Sequence, residues 1–140
     1  MEYFDTHMHL DDEKFNEDRE EVIQKMQTAN VTKCINMGCN IETSKKAVEL
    51  SKKYEFIYSA VGIHPEELPQ IEEELWKSIE KIKELAVSNK KTVAIGEIGL
   101  DYYWKNDNKE LQKKAFIKQI ELANKLKLPI SIHSREAIDD

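Results

Sequence analysis

The chain reads as an α/β protein built on a mainly parallel sheet. Short apolar runs rich in β-branched and aromatic residues alternate with longer charged stretches whose apolar residues recur at helical spacing. The distinctive polar residues, histidines above all, gather where the apolar runs end, and the charged stretches carry no histidine. At 140 residues, with 40% apolar and 34% charged residues, the chain suits one folded domain rather than a disordered segment.

The first strand is expected at Tyr3–His7. A helix over about 13–29 follows, with Phe15, Val22, Ile23 and Met26 on one face. Lys33–Met37 is the second strand, closed by Gly38, and Ile41–Lys53 the second helix, with Asn40 as its N-cap. The third strand, Phe56–Val61, runs into "GIHP", and Pro69 helps close the loop after it. A third helix over about 71–88 keeps Ile71, Leu75, Ile79, Ile82 and Leu85 in register. Thr92–Glu97 is the fourth strand. "DNKE", Asp107–Glu110, resembles a capping box and opens a fourth helix reaching about Lys127, with Leu111, Phe116, Ile120 and Ala123 on its apolar face. Pro129–His133 is the fifth strand, and "SREAIDD" reads as the opening of a fifth helix. Five strands and four complete helices fit either a small open sheet or the first part of a (β/α)8 barrel, which typically needs about 250 residues.

Composition narrows the function classes. No apolar run approaches the ~20 residues a membrane span needs, and the acidic, strand-like start differs from a signal peptide. A cytoplasmic protein is expected, and Cys34 and Cys39 read as reduced thiols. With a net charge of −6, phosphate binding would need bound cations or a small basic patch.

All four histidines fall at predicted strand ends: His7 and His9 after the first, His64 after the third, His133 after the fifth. Glu97 ends the fourth. Asp5, His7 and His9 share a strand parity, as do Ala60, Gly62 and His64, then Val93, Ile95 and Glu97, then Ser131 and His133. If the sets of strands one, four and five face one cavity, three histidines and a glutamate converge there, a common composition for a metal site. Taken singly, His64 before a proline reads as a turn residue and Glu97 as a strand-end carboxylate. Taken together, they point to one shared site on the face where parallel α/β folds place their chemistry.

"FDTHMHL", "VGIHP", "AIGEIGLDYY" and "PISIHSREA" stand in this order. With them the whole chain resembles the TatD-family metal-dependent hydrolases (TatD-type deoxyribonucleases) of the amidohydrolase-like barrel superfamily. The resemblance implies a (β/α)8 TIM-barrel fold, here truncated to about five strands and four to five helices, as the N-terminal part of a single barrel domain. It implies two divalent ions (zinc, magnesium or manganese), with His7 and His9 on the first, Glu97 bridging both and His133 on the second. The family's further histidine and its catalytic aspartate would lie beyond Asp140, so no catalytic residue is assigned within the chain.

In such a site one expects a phosphodiester hydrolase with a two-metal-activated water, trimming single-stranded DNA or RNA from 3′ to 5′. No obligate protein partner is evident. His64 is not a ligand in this family and is assigned to substrate phosphate. Arg135 suits a phosphate clamp, because a guanidinium matches two phosphate oxygens. Asp101 suits a hydrogen bond that orients a ligand, or a cap on its own loop. Tyr102, Tyr103 and Trp104 can stack on unpaired bases, although packing is expected for at least one. The alternatives are a related hydrolase of amides, lactones or phosphoesters, many of which bridge their metals with a carboxylated lysine after strand four, and an inactive fragment.

Overall fold

The computed structural model describes all 140 residues, Met1–Asp140. Five strands, β1 (Tyr3–Met8), β2 (Val31–Met37), β3 (Ile57–Val61), β4 (Thr92–Asp101) and β5 (Ile130–Arg135), alternate with four helices, α1 (Arg19–Thr28), α2 (Ile41–Lys53), α3 (Glu72–Ser88) and α4 (Lys109–Leu126). The strands pair in chain order, β1-β2-β3-β4-β5, and every pairing is parallel. The sheet curls into a half-barrel with the helices on its convex side, so the expected barrel-type α/β class holds. No helix is long and apolar enough to cross a membrane.

Two apolar layers fix the curvature. On the convex face Val61, Ile95 and Ile98 pack with Leu75, Ile79 and Ile82 of α3 and with Ala115 and Leu122 of α4. Beside them Cys34 and Ile57 meet Ile23 of α1 and Leu10. The concave face carries a smaller cluster, Met37, Ala60 and Ala94. Each fully buried aliphatic side chain contributes roughly 1.5–3 kcal/mol, so the convex layer holds the sheet and leaves the concave mouth to polar residues.

Several expectations are corrected. The first helix does not run through 13–29. Asp12 caps a 3-10 turn at Glu13–Phe15 by accepting from the Lys14 N–H, and α1 starts only at Arg19. The Arg19 guanidinium is drawn back onto the Leu10 and Asp12 carbonyls and the Asn16 side chain, which interrupts the helix. Asn40 does cap α2, with a full capping box through Thr43. The capping box expected in "DNKE" is not formed. Asn108 stands at the cap, but its Oδ1 accepts from Gln112 Nε2 rather than from a first-turn N–H.

"SREAIDD" does not open a fifth helix. β5 continues to Arg135, Glu136 takes a left-handed φ of 51°, and turns follow. β4 is also longer than expected, and its parity is not strict. Ala94 faces the concave side, while Ile95 and Ile98 both face the helices. The register shift between Ile95 and Ile98 explains this, because one irregularity lets Glu97 leave the face of Ile95.

β4 and β5 approach closely at Gly96 and Gly99. A Cβ at Gly96 would lie 2.6 Å from Ser131 Cβ, and one at Gly99 would overlap the His133 carbonyl oxygen. Gly99 also has φ of 147°, a region that L side chains avoid. Gly99→Ala is therefore expected to destabilise the fold by about 3 kcal/mol. A urea midpoint equal to that of the unsubstituted protein would contradict the close pairing of these strands.

Candidate metal centre

His7 lies in β1, His9 immediately after that strand, Glu97 in β4 and His133 in β5. The curl of the sheet brings them together at the mouth of the half-barrel. His7 Nε2 and His9 Nε2 stand 3.2 Å apart. They lie 3.4 and 3.8 Å from Glu97 Oε2. On the other side, His133 Nδ1 lies 3.4 Å from Glu97 Oε1. The two oxygens of one buried carboxylate thus face two different imidazole groups. His7, His9 and Glu97 form one set whose ligand atoms all lie within 4.8 Å of one another, and His64, Glu97 and His133 form a second.

Hydrogen bonds decide which nitrogen each ring presents. His9 Nδ1 lies 3.2 Å from the Met37 carbonyl oxygen. A carbonyl only accepts, so Nδ1 carries the hydrogen and the Nε2 lone pair turns to the cleft. His133 Nε2 donates to Asp101 Oδ2 at 2.8 Å, which leaves the Nδ1 lone pair facing Glu97. Burial alone would raise the pKa of Asp101, but the N–H of Trp104, the His133 ring and the N–H of Tyr103 outweigh it and hold the carboxyl below its ordinary value. The Asp5 carboxylate accepts the backbone N–H of His7 at 3.0 Å and steadies the strand end.

His64 differs. Its Nδ1 accepts the backbone N–H of Glu66 at 3.2 Å, as the N-cap of a 3-10 turn that Pro65 begins. Burial, then the neighbouring His133, push its pKa down against the pull of Glu97 and Asp101. A neutral ring whose Nδ1 accepts must carry its hydrogen on Nε2. His64 therefore offers the cleft a donor where His9 and His133 offer lone pairs, although its ring lies only 4.3 Å from that of His133.

The cleft is completed by Cys39, Glu66 and Glu67. Burial, reinforced by Glu97, pushes the Cys39 thiol up to about 12, so it stands there protonated. Cys34 and Cys39 are both free. Arg135 is exposed and does not line this cleft. Its guanidinium sits 5.8 Å from the centre of the Tyr103 ring. Asp101 combines both expected roles, because its second oxygen accepts the N–H groups of Tyr103 and Trp104.

Sequence reading missed the supports. Asn36, fully buried, accepts from the Leu10 N–H at 2.6 Å and donates to Asp11 at 2.7 Å, fixing the chain just past His9. Two glutamines of α4 clamp strand-end loops. Gln119 bonds both the N–H and the carbonyl of Ile63, next to His64, and Gln112 does the same for Asp101. The available signal was their spacing: positions 112 and 119 lie two turns apart on the face that also carries Ala115 and Leu122.

The chain matches the family model "TatD related DNase" over residues 4–140. It is 42% identical over 137 residues to an uncharacterized metal-dependent hydrolase, YabD, of Bacillus subtilis, covering 98% of this chain and 52% of that protein. It is 32% identical over 135 residues to the 3′-5′ ssDNA/RNA exonuclease TatD of Salmonella typhimurium, covering 96% of this chain and 50% of that protein. The crystal structure of YjjV, a TatD homolog from Escherichia coli, superposes with a TM-score of 0.86 at 31% identity, covering 98% of this chain and 52% of the other. The chain thus spans about half the length of the relatives it matches.

The geometry at Asp101 has a pH signature. Its folded pKa lies below the ordinary 3.8, so its contribution is complete above that value and is lost as pH falls through the folded pKa. Asp101→Asn should cost about 2 kcal/mol at pH 7. The stability gap from the unsubstituted protein should shrink as pH is lowered from 5 towards 3, as urea titrations at each pH would measure. A gap independent of pH would mean that Asp101 is not held ionised by these donors.

Proposed function

Since the chain belongs to the TatD-related DNase family, we propose that residues 1–140 form the N-terminal part of a single metal-dependent hydrolase barrel. Its reaction is hydrolysis of phosphodiesters in single-stranded DNA or RNA, from 3′ to 5′, and its location is the cytoplasm. The observation that carries this reading is the split of the Glu97 carboxylate between His7 and His9 on one side and His133 on the other. In this reading His7, His9, Glu97 and His133 would hold the divalent ions, His7 and His9 at one end of the Glu97 carboxylate and His133 at the other.

The donor set fits such ions. His9 and His133 have their lone pairs committed to the cleft by protein hydrogen bonds, so a cation meets bases that need no rearrangement. Borderline-soft imidazoles with a carboxylate suit zinc or manganese, and magnesium less well. When bound, divalent ions supply an acidified water and positive charge opposite the phosphate oxygens.

The residues of this chain do the rest. Glu97 places one carboxylate oxygen beside each imidazole group. Asp101 keeps His133 in the tautomer that exposes Nδ1. His64 donates Nε2–H to a non-bridging phosphate oxygen, an orientation that its Glu66 hydrogen bond imposes. Arg135, outside the cleft lining, suits a neighbouring phosphate of the strand rather than the scissile one. The 3′-to-5′ polarity and the single-stranded substrate follow the name of the Salmonella relative.

In a chain extended to the length of the relatives, manganese should support release of nucleotides from the 3′ end of a single-stranded oligonucleotide. Chelation should abolish it, and Glu97→Gln should lower kcat/KM at least 10³-fold, on the order expected for loss of a bridging ligand. Absence of metal-dependent release, or turnover of cyclic amides instead, would overturn the assignment. His64→Gln should raise KM about tenfold with manganese affinity by calorimetry unchanged, because the ring donates a hydrogen bond rather than a lone pair. A loss of metal affinity in that variant would make His64 a ligand.

A further inference from the structure

The loop after β4 carries three consecutive aromatic residues, and the fold treats them differently. Tyr102 is only 8% exposed. It packs with Leu100 and Ala137, and its hydroxyl donates to Asp140. Tyr103 and Trp104 are 53% and 58% exposed. Their rings meet edge to face, with centroids 4.6 Å apart and planes at 87°. Packing accounts for Tyr102 and leaves the other two unexplained, because their faces meet solvent and large exposed aromatics mark binding surfaces.

These two rings are not loosely placed. Asp101 Oδ1 accepts the Tyr103 and Trp104 N–H groups at 3.0 and 2.8 Å, while Oδ2 accepts from His133 at 2.8 Å. A single buried carboxylate therefore fixes the aromatic pair relative to the His133 side of the cleft. The surrounding charge also differs. Glu66, Glu67 and Glu97 line the cleft. Beside the aromatic pair stand Arg135, against the Tyr103 ring, and the exposed Lys105 and Lys109, the latter over the Tyr102 ring. Glu110 and Asp140 stand among these lysines, so the cation set directly against an exposed ring is Arg135, where a strand phosphate beside a stacked base would meet it.

We infer that Tyr103 and Trp104, flanked by Arg135, form a stacking platform for an unpaired nucleobase of the single strand whose backbone enters the His–Glu cleft. The occupant rests on the nuclease reading above, and the platform itself rests on the exposed rings, their anchoring and the Arg135 guanidinium beside them. An aromatic face accepts any base, so the subsite would grip single strands without strong sequence preference. A base pair inside a duplex has both faces covered by its neighbours, so the same surface discriminates against duplex interiors.

Fluorescence anisotropy with labelled dT8 and a labelled abasic octamer of equal charge, in chelator so that nothing is cleaved, tests this. The unsubstituted protein should bind dT8 at least tenfold more tightly than the abasic strand. The double variant Tyr103→Ala, Trp104→Ala should bind both strands like the abasic one. Both residues are exposed, and an unchanged urea midpoint would show that the fold is intact. Equal binding of the two strands by the unsubstituted protein, or a surviving tenfold difference in the double variant, would overturn the platform. The two readings fail separately. Metal-dependent cleavage without base-dependent binding removes the platform alone, whereas base-dependent binding without cleavage removes the nuclease assignment alone.

Discussion

Asp101 uses every hydrogen-bonding group it owns. Its side chain accepts from the His133 ring and from the N–H groups of Tyr103 and Trp104. Its backbone N–H and carbonyl are both taken by the Gln112 amide of α4. Four pieces of the molecule therefore meet at one residue: the end of β4, the side chain from β5, the loop beyond β4 and the helix that covers it. A buried carboxylate is tolerated only when its lone pairs are satisfied. That requirement fixes His133 in one tautomer and the aromatic loop in one place. Removing the carboxylate would free both at once, so the position of His133 and the conformation of the loop are not independent variables.

The same logic repeats around the mouth of the half-barrel with different chemistry. Met37 orients His9 through a backbone carbonyl, and the Glu66 N–H orients His64 through a backbone donor. A carbonyl forces a hydrogen onto the ring nitrogen it meets, and an N–H forces a lone pair there. Backbone groups thus sort chemically identical side chains into lone-pair bearers and a donor. The sorting needs no charge and works in a fully neutral ring. It does need a backbone that cannot shift, which Asn36 and Asp11 supply behind His9 and Gln119 supplies behind His64.

Much of this was legible in the sequence, for physical reasons. Parallel strands buried by helices give the alternation of apolar runs and amphipathic stretches, so the class, the five strands and the α2 cap at Asn40 could be read directly. The convergence of His7, His9, Glu97 and His133 was legible because strand C-termini of a parallel sheet end on one side. What failed depended on contacts between distant residues. Parity placed Glu97 with Ile95, but the shift in register against β5 puts them on opposite faces. "DNKE" lost its capping box because Gln112 competes for the Asn108 oxygen. Gln112 and Gln119 read as polar helix residues, yet both are buried as clamps. No local pattern announces a tertiary hydrogen bond.

Electrostatics divides the functional face into two regions with opposed demands. The cleft is lined by Glu66, Glu67 and Glu97, which attract cations and, without them, repel a phosphate. A polyanion can occupy such a cleft only after its charge has been met by bound cations, so cation binding and substrate binding there reinforce each other. The neighbouring rim mixes cations and carboxylates, Arg135 and Lys109 with Glu110 and Asp140, about an aromatic pair whose rings are neutral, so it imposes no such order. On the proposed stacking reading, the rim would hold a strand before cations occupy the cleft. Asp101 belongs to both regions, which is why one buried carboxylate controls the spacing between the imidazole cluster and the aromatic pair.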